Sequence, residues 1–109
     1  MNKTNFEHAA IAGAIQLALT PLLWLMAGEL SFPIIFAGAM PGCFLFFGRE
    51  HAQHERLLKK LPDMTDSGAA IGALNCFLWD WDSQLDFYFP VAGAIAQGAA
   101  WLIVMLLAA

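Results

Sequence analysis

Hydrophobic positions in this chain run in long unbroken stretches, without the alternation of a half-buried strand or the one-sided stripe of a surface helix. Residues 9–28, 30–48 and 87–109 contain no Asp, Glu, Lys or Arg, and every charged side chain lies before or between these stretches. A helix needs about 20 predominantly apolar residues to cross a hydrocarbon core. Irregular backbone cannot face lipid, because its polar groups would go unpaired. The pattern therefore predicts an all-α membrane protein with three transmembrane helices, at about 9–28, 30–48 and 87–109.

Glu29 is the only charge between the first two spans, so they form a tight helical hairpin. Pro21 and Pro41 fall inside these spans and are expected to bend them or to free a backbone carbonyl. Pro33 and Pro90 fall near the starts of spans two and three, where a missing N–H costs little. Ser31 and Asp86 are the neighbouring candidate caps.

Residues 49–86 form the one sizeable polar loop of what reads as a single integral membrane domain over 1–109. Residues 49–61 are predicted to be a juxtamembrane helix that extends span two. Glu55 and Lys59 are there an i,i+4 pair in the favourable order, and His54, Leu57, Leu58 and Leu61 share a face. Pro62 ends this helix. Residues 67–79 are apolar but too short to span, and 67–86 reads as an interfacial segment. Trp79, Trp81, Phe87 and Tyr88, set among Asp80, Asp82 and Asp86, look like an aromatic belt. Arg49, Arg56, Leu57, Lys59, Lys60, Leu61, Trp79 and Trp81 are the candidate contacts to lipid headgroups or a partner helix.

Lys and Arg in short loops stay on the cytoplasmic side. Lys3 on the N-terminal tail and Arg49, Arg56, Lys59 and Lys60 in the loop would share one side after two crossings. The N-terminus and the 49–86 loop are thus expected inside the cell and the C-terminus outside it. The first apolar run is longer than the 7–15 residues of a signal-peptide core, so it reads as a retained span.

Composition sharpens this picture mainly by exclusion. The chain is 60% hydrophobic and 13% charged, against roughly 45–50% and 25% for soluble domains. That rules out both a soluble globule and a disordered chain. A net charge of −4 leaves no basic face for phosphates, so no nucleic-acid partner is expected. Cys43 and Cys76 are isolated and read as small apolar side chains.

Candidate chemistry is sparse. His51 and His54 sit i,i+3 beside Glu50 and Glu55, a pair that could grip a metal. The pattern is not H-E-x-x-H, and no further ligand is nominated by the sequence. Asp80, Asp82 and Asp86 read as flanking charges and helix caps. No nucleophile triad, phosphate loop or dinucleotide fingerprint is present. No metal, no cofactor and no enzymatic activity are therefore expected, and no ionisable residue is expected inside a span.

Small residues are the more telling feature. Ala10, Ala14 and Ala18 repeat every fourth position in span one, as do Ala92, Ala96 and Ala100 in span three, and Ala94 with Gly98 makes a further pair. Such faces let helix backbones approach closely in lipid. They serve either to pack three helices within one monomer or to join copies into a homo-oligomer. Gln16 and Gln97 each put one amide into an apolar span, where it can hydrogen-bond to a neighbouring helix.

Two stretches carry a resemblance. Phe46-Phe47-Gly48-Arg49-Glu50-His51-Ala52-Gln53 lies at the exit of span two, and Trp81-Asp82-Ser83-Gln84-Leu85-Asp86 leads into Phe89-Pro90-Val91. Together, over roughly residues 44–95, they resemble a group of small tailed-bacteriophage integral membrane proteins, some described as holin-like. The resemblance implies a phage product in the host inner membrane that self-associates through its spans and opens the bilayer during lysis. An alternative is a modulator that binds and inhibits a host membrane protein or excludes superinfection. The orientation read from the basic residues is opposite to that usual for three-span holins.

Overall fold

The computed structural model describes residues 3–108; Met1, Asn2 and Ala109, the last position of the third predicted span, lie outside the described residues. Four α-helices follow in order: α1 (Lys3–Ala27), α2 (Phe32–Leu58), α3 (Asp66–Gly72) and α4 (Trp81–Ala108), with a single 3-10 turn at Cys76–Leu78. No strand occurs among the described residues. The helices α1, α2 and α4 are each long and apolar enough to cross a membrane. The chain is thus an all-α, multi-pass membrane protein built on three long helices, each in contact with the other two.

All three helices outrun the apolar blocks. Helix α1 begins at Lys3, ahead of the block at 9, and α4 at Trp81, ahead of the block at 87; α2 runs on past 48 as the juxtamembrane extension expected over 49–61, but stops at Leu58. A helix does not stop where lipid stops, because charged side chains on its last turns reach into water. At 1.5 Å per residue, the 27 residues of α2 make about 40 Å of helix. The molecule is 57 Å long, so its loop end extends beyond a hydrocarbon core of about 30 Å.

The α1–α2 turn is built by Gly28. Its φ of +80° and its N–H donating to the Trp24 carbonyl at 2.9 Å form a left-handed helix stop that favours glycine. Ser31 then occupies the N-cap position of α2, but its side chain makes no capping hydrogen bond. The C-terminal turns of α4 come back to this end, where Met105 and Ala108 share a cleft with Trp24, Gly28 and Glu29.

Two expectations about the start of span three are corrected. Asp86 caps nothing; Asp80 does, accepting from the Ser83 N–H at 2.8 Å. Pro90 lies in the buried interior of α4, not in its first turn. The helix therefore lacks the N–H that would bond the Asp86 carbonyl four residues earlier.

The loop folds against the ends of α2 and α4. Thr65 caps α3 by accepting from the Gly68 N–H at 3.0 Å. The His51 ring meets the Ala70 carbonyl at 2.8 Å, and the Trp79 indole N–H donates to the Ala73 carbonyl at 2.9 Å. Phe47, Trp79 and Phe87 form an aromatic triangle with centroids 5.3, 5.4 and 6.0 Å apart. Trp79 is buried and so contacts neither headgroup nor partner. Leu57, Leu61 and Trp81 are exposed, as are Arg56, Lys59 and Lys60. Lys59 also pairs with Glu55 at 3.3 Å.

Candidate functional site

Helix packing in lipid cannot rely on the hydrophobic effect, because acyl chains are as apolar as leucine. What drives contact instead is close approach and hydrogen bonding, and α1 uses both. Its buried face is Asn5, His8, Ala12, Gln16 and Thr20, while Phe6, Ile11, Leu17, Leu22 and Leu25 face outward. The polar residues of the span point in and the apolar ones point out.

Close approach comes from a Gly38-x-x-x-Gly42 pair on α2. A Cβ at Gly42 would lie 3.0 Å from both the Ala12 Cα and Cβ, and one at Gly38 would lie 3.0 Å from the Thr20 Cβ. Gln16 donates to the Ala94 carbonyl at 3.2 Å, and Gln97 donates to the Gly13 carbonyl at 2.9 Å, so the two amides tie α1 to α4 from opposite sides. Ala94 is buried and Gly98 is half-buried. The alanine triplets have a different place. Ala10, Ala14, Ala18, Ala92, Ala96 and Ala100 are all exposed, so they do not pack the three helices within one copy. Both triplets lie outside the arc that each helix turns to its neighbours.

The polar stripe ends in a cluster where α1, α2 and α4 meet at the loop end. His8, Glu50 and Asp86 each offer one ligand atom there, all within 4.8 Å of one another. Asp86 accepts from the Asn5 amide at 2.6 Å, and the His8 Nδ1 lies 3.3 Å from the Asp86 Oδ1. Phe46 stacks on the His8 ring at 4.6 Å and fixes its plane. The Arg49 guanidinium contacts the other ring nitrogen, His8 Nε2. Arg49, expected among the outward contacts, thus reaches inward with its head group.

Glu50 is the unusual member. It is 0% exposed and His8 only 5%. Neither Glu50 oxygen has a hydrogen bond of normal geometry, nor does His8 Nδ1. Ser83 on α4 is the hydrogen-bonding side chain that faces Glu50, while Asp86, Arg49 and His8 act on it through charge. A buried carboxylate is costly unless a proton, a donor or a cation meets it. The three ionisable side chains lie just beyond the apolar blocks, on the parts of the long helices that run past them, where His8 and Glu50 are buried and Asp86 is half-buried.

The other histidines are not gathered here. His51 is held by the Ala70 carbonyl and lies 3.8 Å from Glu55, and His54 is half-buried nearby. The acidic trio divides as well: Asp80 caps α4, Asp82 is exposed in its first turn, and Asp86 joins the cluster. No protein-family model, curated protein or solved structure matches this chain.

Proposed function

We propose that the protein is a holin-like membrane protein of bacteriophage type, which self-associates in the bacterial inner membrane and permeabilises it during host lysis. The observation that carries this reading is the outward placement of both alanine faces. A monomer makes no use of them, and in lipid they are surfaces on which a second copy can pack closely. An apolar cleft of about 340 Å³ between α2 and α4, lined in part by Ala39, Ala99 and Gly98, offers a further small-residue contact. The polar face of α1 supplies the second requirement. It is hidden in one copy but could line water once several copies rearrange.

Induced expression in a bacterium is expected to cause abrupt loss of membrane potential, with altered timing when Ala96 and Ala100 are both changed to Leu. Continued growth with intact potential at high expression rejects the proposal. The orientation proposed with it puts the N-terminus and the 49–86 loop in the cytoplasm and the C-terminus in the periplasm. A periplasmic reporter joined after Lys60 should then stay silent.

A second reading, docking on a host membrane protein, is favoured by the loop's exposed apolar residues. Leu57, Leu61, Ile71, Phe77, Leu78 and Trp81 are each at least half exposed. Detergent pull-down should in that case recover one stoichiometric host partner, lost when Leu57 and Leu61 become Glu.

A further inference from the structure

We infer that His8, Glu50 and Asp86 form a binding site for one divalent transition-metal ion at the loop end of the bundle. The inference is independent of permeabilisation and rests on the geometry of the cluster alone.

Three observations converge on it. The first is spacing. Metal–ligand bonds of about 2.0–2.2 Å place the donors of a tetrahedral site roughly 3.4 Å apart. The three donor atoms lie within 4.8 Å of one another, so shifts of up to about 0.7 Å in each side chain close the shell to that spacing. The second is the unpaired donor atoms. Both Glu50 oxygens and His8 Nδ1 lack a hydrogen bond of normal geometry, although both side chains are almost wholly out of solvent. The Ser83 side chain faces Glu50, and the Asp86 carboxylate lies 3.3 Å from His8 Nδ1. Buried polar atoms in folded proteins are otherwise nearly always satisfied. The third is support from neighbours. A ligating carboxylate is normally held by a hydrogen bond of its own, and the Asn5 amide holds Asp86 at 2.6 Å. Phe46, stacked on His8, fixes the imidazole plane.

Charge and tautomer assign Arg49 its part. A guanidinium can only donate, so its contact with His8 Nε2 requires that nitrogen to be the acceptor and puts the ring proton on Nδ1. Metal ligation through Nδ1 requires the reverse tautomer, with the proton on Nε2. The ion and the guanidinium therefore exclude one another at this ring. With Arg49 in place, two carboxylates and one guanidinium carry a net −1. With Arg49 turned out and a divalent ion bound, two carboxylates and the ion sum to zero. Arg49 lies at the exposed edge of the cluster, so it can leave without unfolding anything. One imidazole and two carboxylates suit zinc, manganese or iron(II) better than the all-oxygen shells of magnesium and calcium. Three protein ligands also leave a position open for water.

The test uses the full chain in detergent micelles, stripped with chelator and titrated with Zn²⁺ by calorimetry. One ion per chain is expected. His8→Gln, Glu50→Gln and Asp86→Asn should each weaken binding by about 100-fold or more, and Asn5→Ala by about 10–100-fold, as outer-shell changes do. Arg49→Gln should bind as tightly as the parent or more tightly, since it removes the competitor. The double variant His51→Gln with His54→Gln should bind unchanged, and excess Mg²⁺ should not compete. Pulsed EPR of the Cu²⁺-loaded parent protein keeps the test independent of whether the variants fold, because it counts coordinated imidazoles. One imidazole supports the site. None, or two, overturns it, as does the absence of stoichiometric Zn²⁺ binding or its loss only in the His51/His54 double variant.

Discussion

From mid-bundle toward the Glu29 turn the helices meet through glycine and alanine, with Gly42 against the backbone of Ala12 and Gly38 against Thr20. At the loop end they meet through Asn5, His8, Arg49, Glu50 and Asp86. The difference follows the surroundings. Deep in lipid no solvent drives apolar groups together, so contact must come from surfaces small enough to touch along their length. Near the aqueous boundary a polar group gives up less hydration on burial, and charged side chains can serve as the joint. One half should therefore tolerate changes of polarity but not of volume, and the other half the reverse.

Changes of volume should have the largest effect. Gly42→Leu forces a side chain into the Ala12 backbone and is expected to lower bundle stability by about 3 kcal/mol, at the upper end for overpacking. Reversible unfolding in micelles would measure it. Gly93 gives the matched control, since a Cβ there meets nothing within 4 Å. Gly93→Ala should stabilise by up to about 1 kcal/mol through helix propensity, and equal losses at the two glycines would erase the distinction.

At the loop end, Asn5→Ala removes the amide that donates to Asp86. A hydrogen bond to a charged acceptor contributes about 1.5–3 kcal/mol, and a loss of about 2 kcal/mol is expected from the same unfolding measurement. Asn5→Asp keeps the volume and puts a second carboxylate beside Asp86, so it should cost at least as much.

Mid-bundle, the two glutamines should part company. Gln97→Leu gives up a bond at 2.9 Å to the Gly13 carbonyl and should cost about 1 kcal/mol, in the range of interhelical bonds in lipid. Gln16 also donates across to α4, but its Oε1 is buried without a partner. Gln16→Leu removes that unsatisfied acceptor together with the bond, so the two effects offset and stability should change little.

The smallest effect on folding is expected at Ala96 and Ala100. Both are exposed, and changing them to Leu should leave unfolding within about 0.5 kcal/mol of the parent. Self-association, followed by sedimentation in density-matched detergent, should nevertheless change. A folding loss comparable to that of Gly42→Leu would mean the alanine face packs within one copy after all.

These contrasts also mark what the amino-acid pattern can and cannot reveal. The three spans are legible because lipid demands unbroken apolar length. The run of α2 past Arg49 and Glu50 was legible too, from the leucine face and the Glu55–Lys59 pair, whereas the starts of α1 at Lys3 and α4 at Trp81 were not, because polar residues there give no apolar signal. The alanine triplets could be found but not oriented. In lipid the inside and the outside of a bundle are both compatible with alanine, so periodicity does not say which way a small-residue face turns. One signal was present and informative: His8, Ala12, Gln16 and Thr20 fall at every fourth position of an otherwise apolar helix, which is the course of the buried stripe. Gly38-x-x-x-Gly42 was likewise readable as a close-packing motif. The meeting of His8 with Glu50 and Asp86 was not, because the three lie on different helices and no spacing links them. Trp79 misleads for a related reason. Its setting among acidic residues resembles an interfacial belt, yet its indole N–H finds the Ala73 carbonyl and the ring closes an internal cluster.

The central claim is that α1 turns its polar residues to its neighbours and its apolar residues to lipid. Spin-label scanning tests this most directly, with single cysteines at 10–22 in a background where Cys43 and Cys76 are Ser and the protein is reconstituted in vesicles. The account predicts low oxygen accessibility at 12, 16 and 20 and high accessibility at 11, 14, 18 and 22, in helical period. High accessibility at 12, 16 and 20, or no periodicity at all, would contradict it.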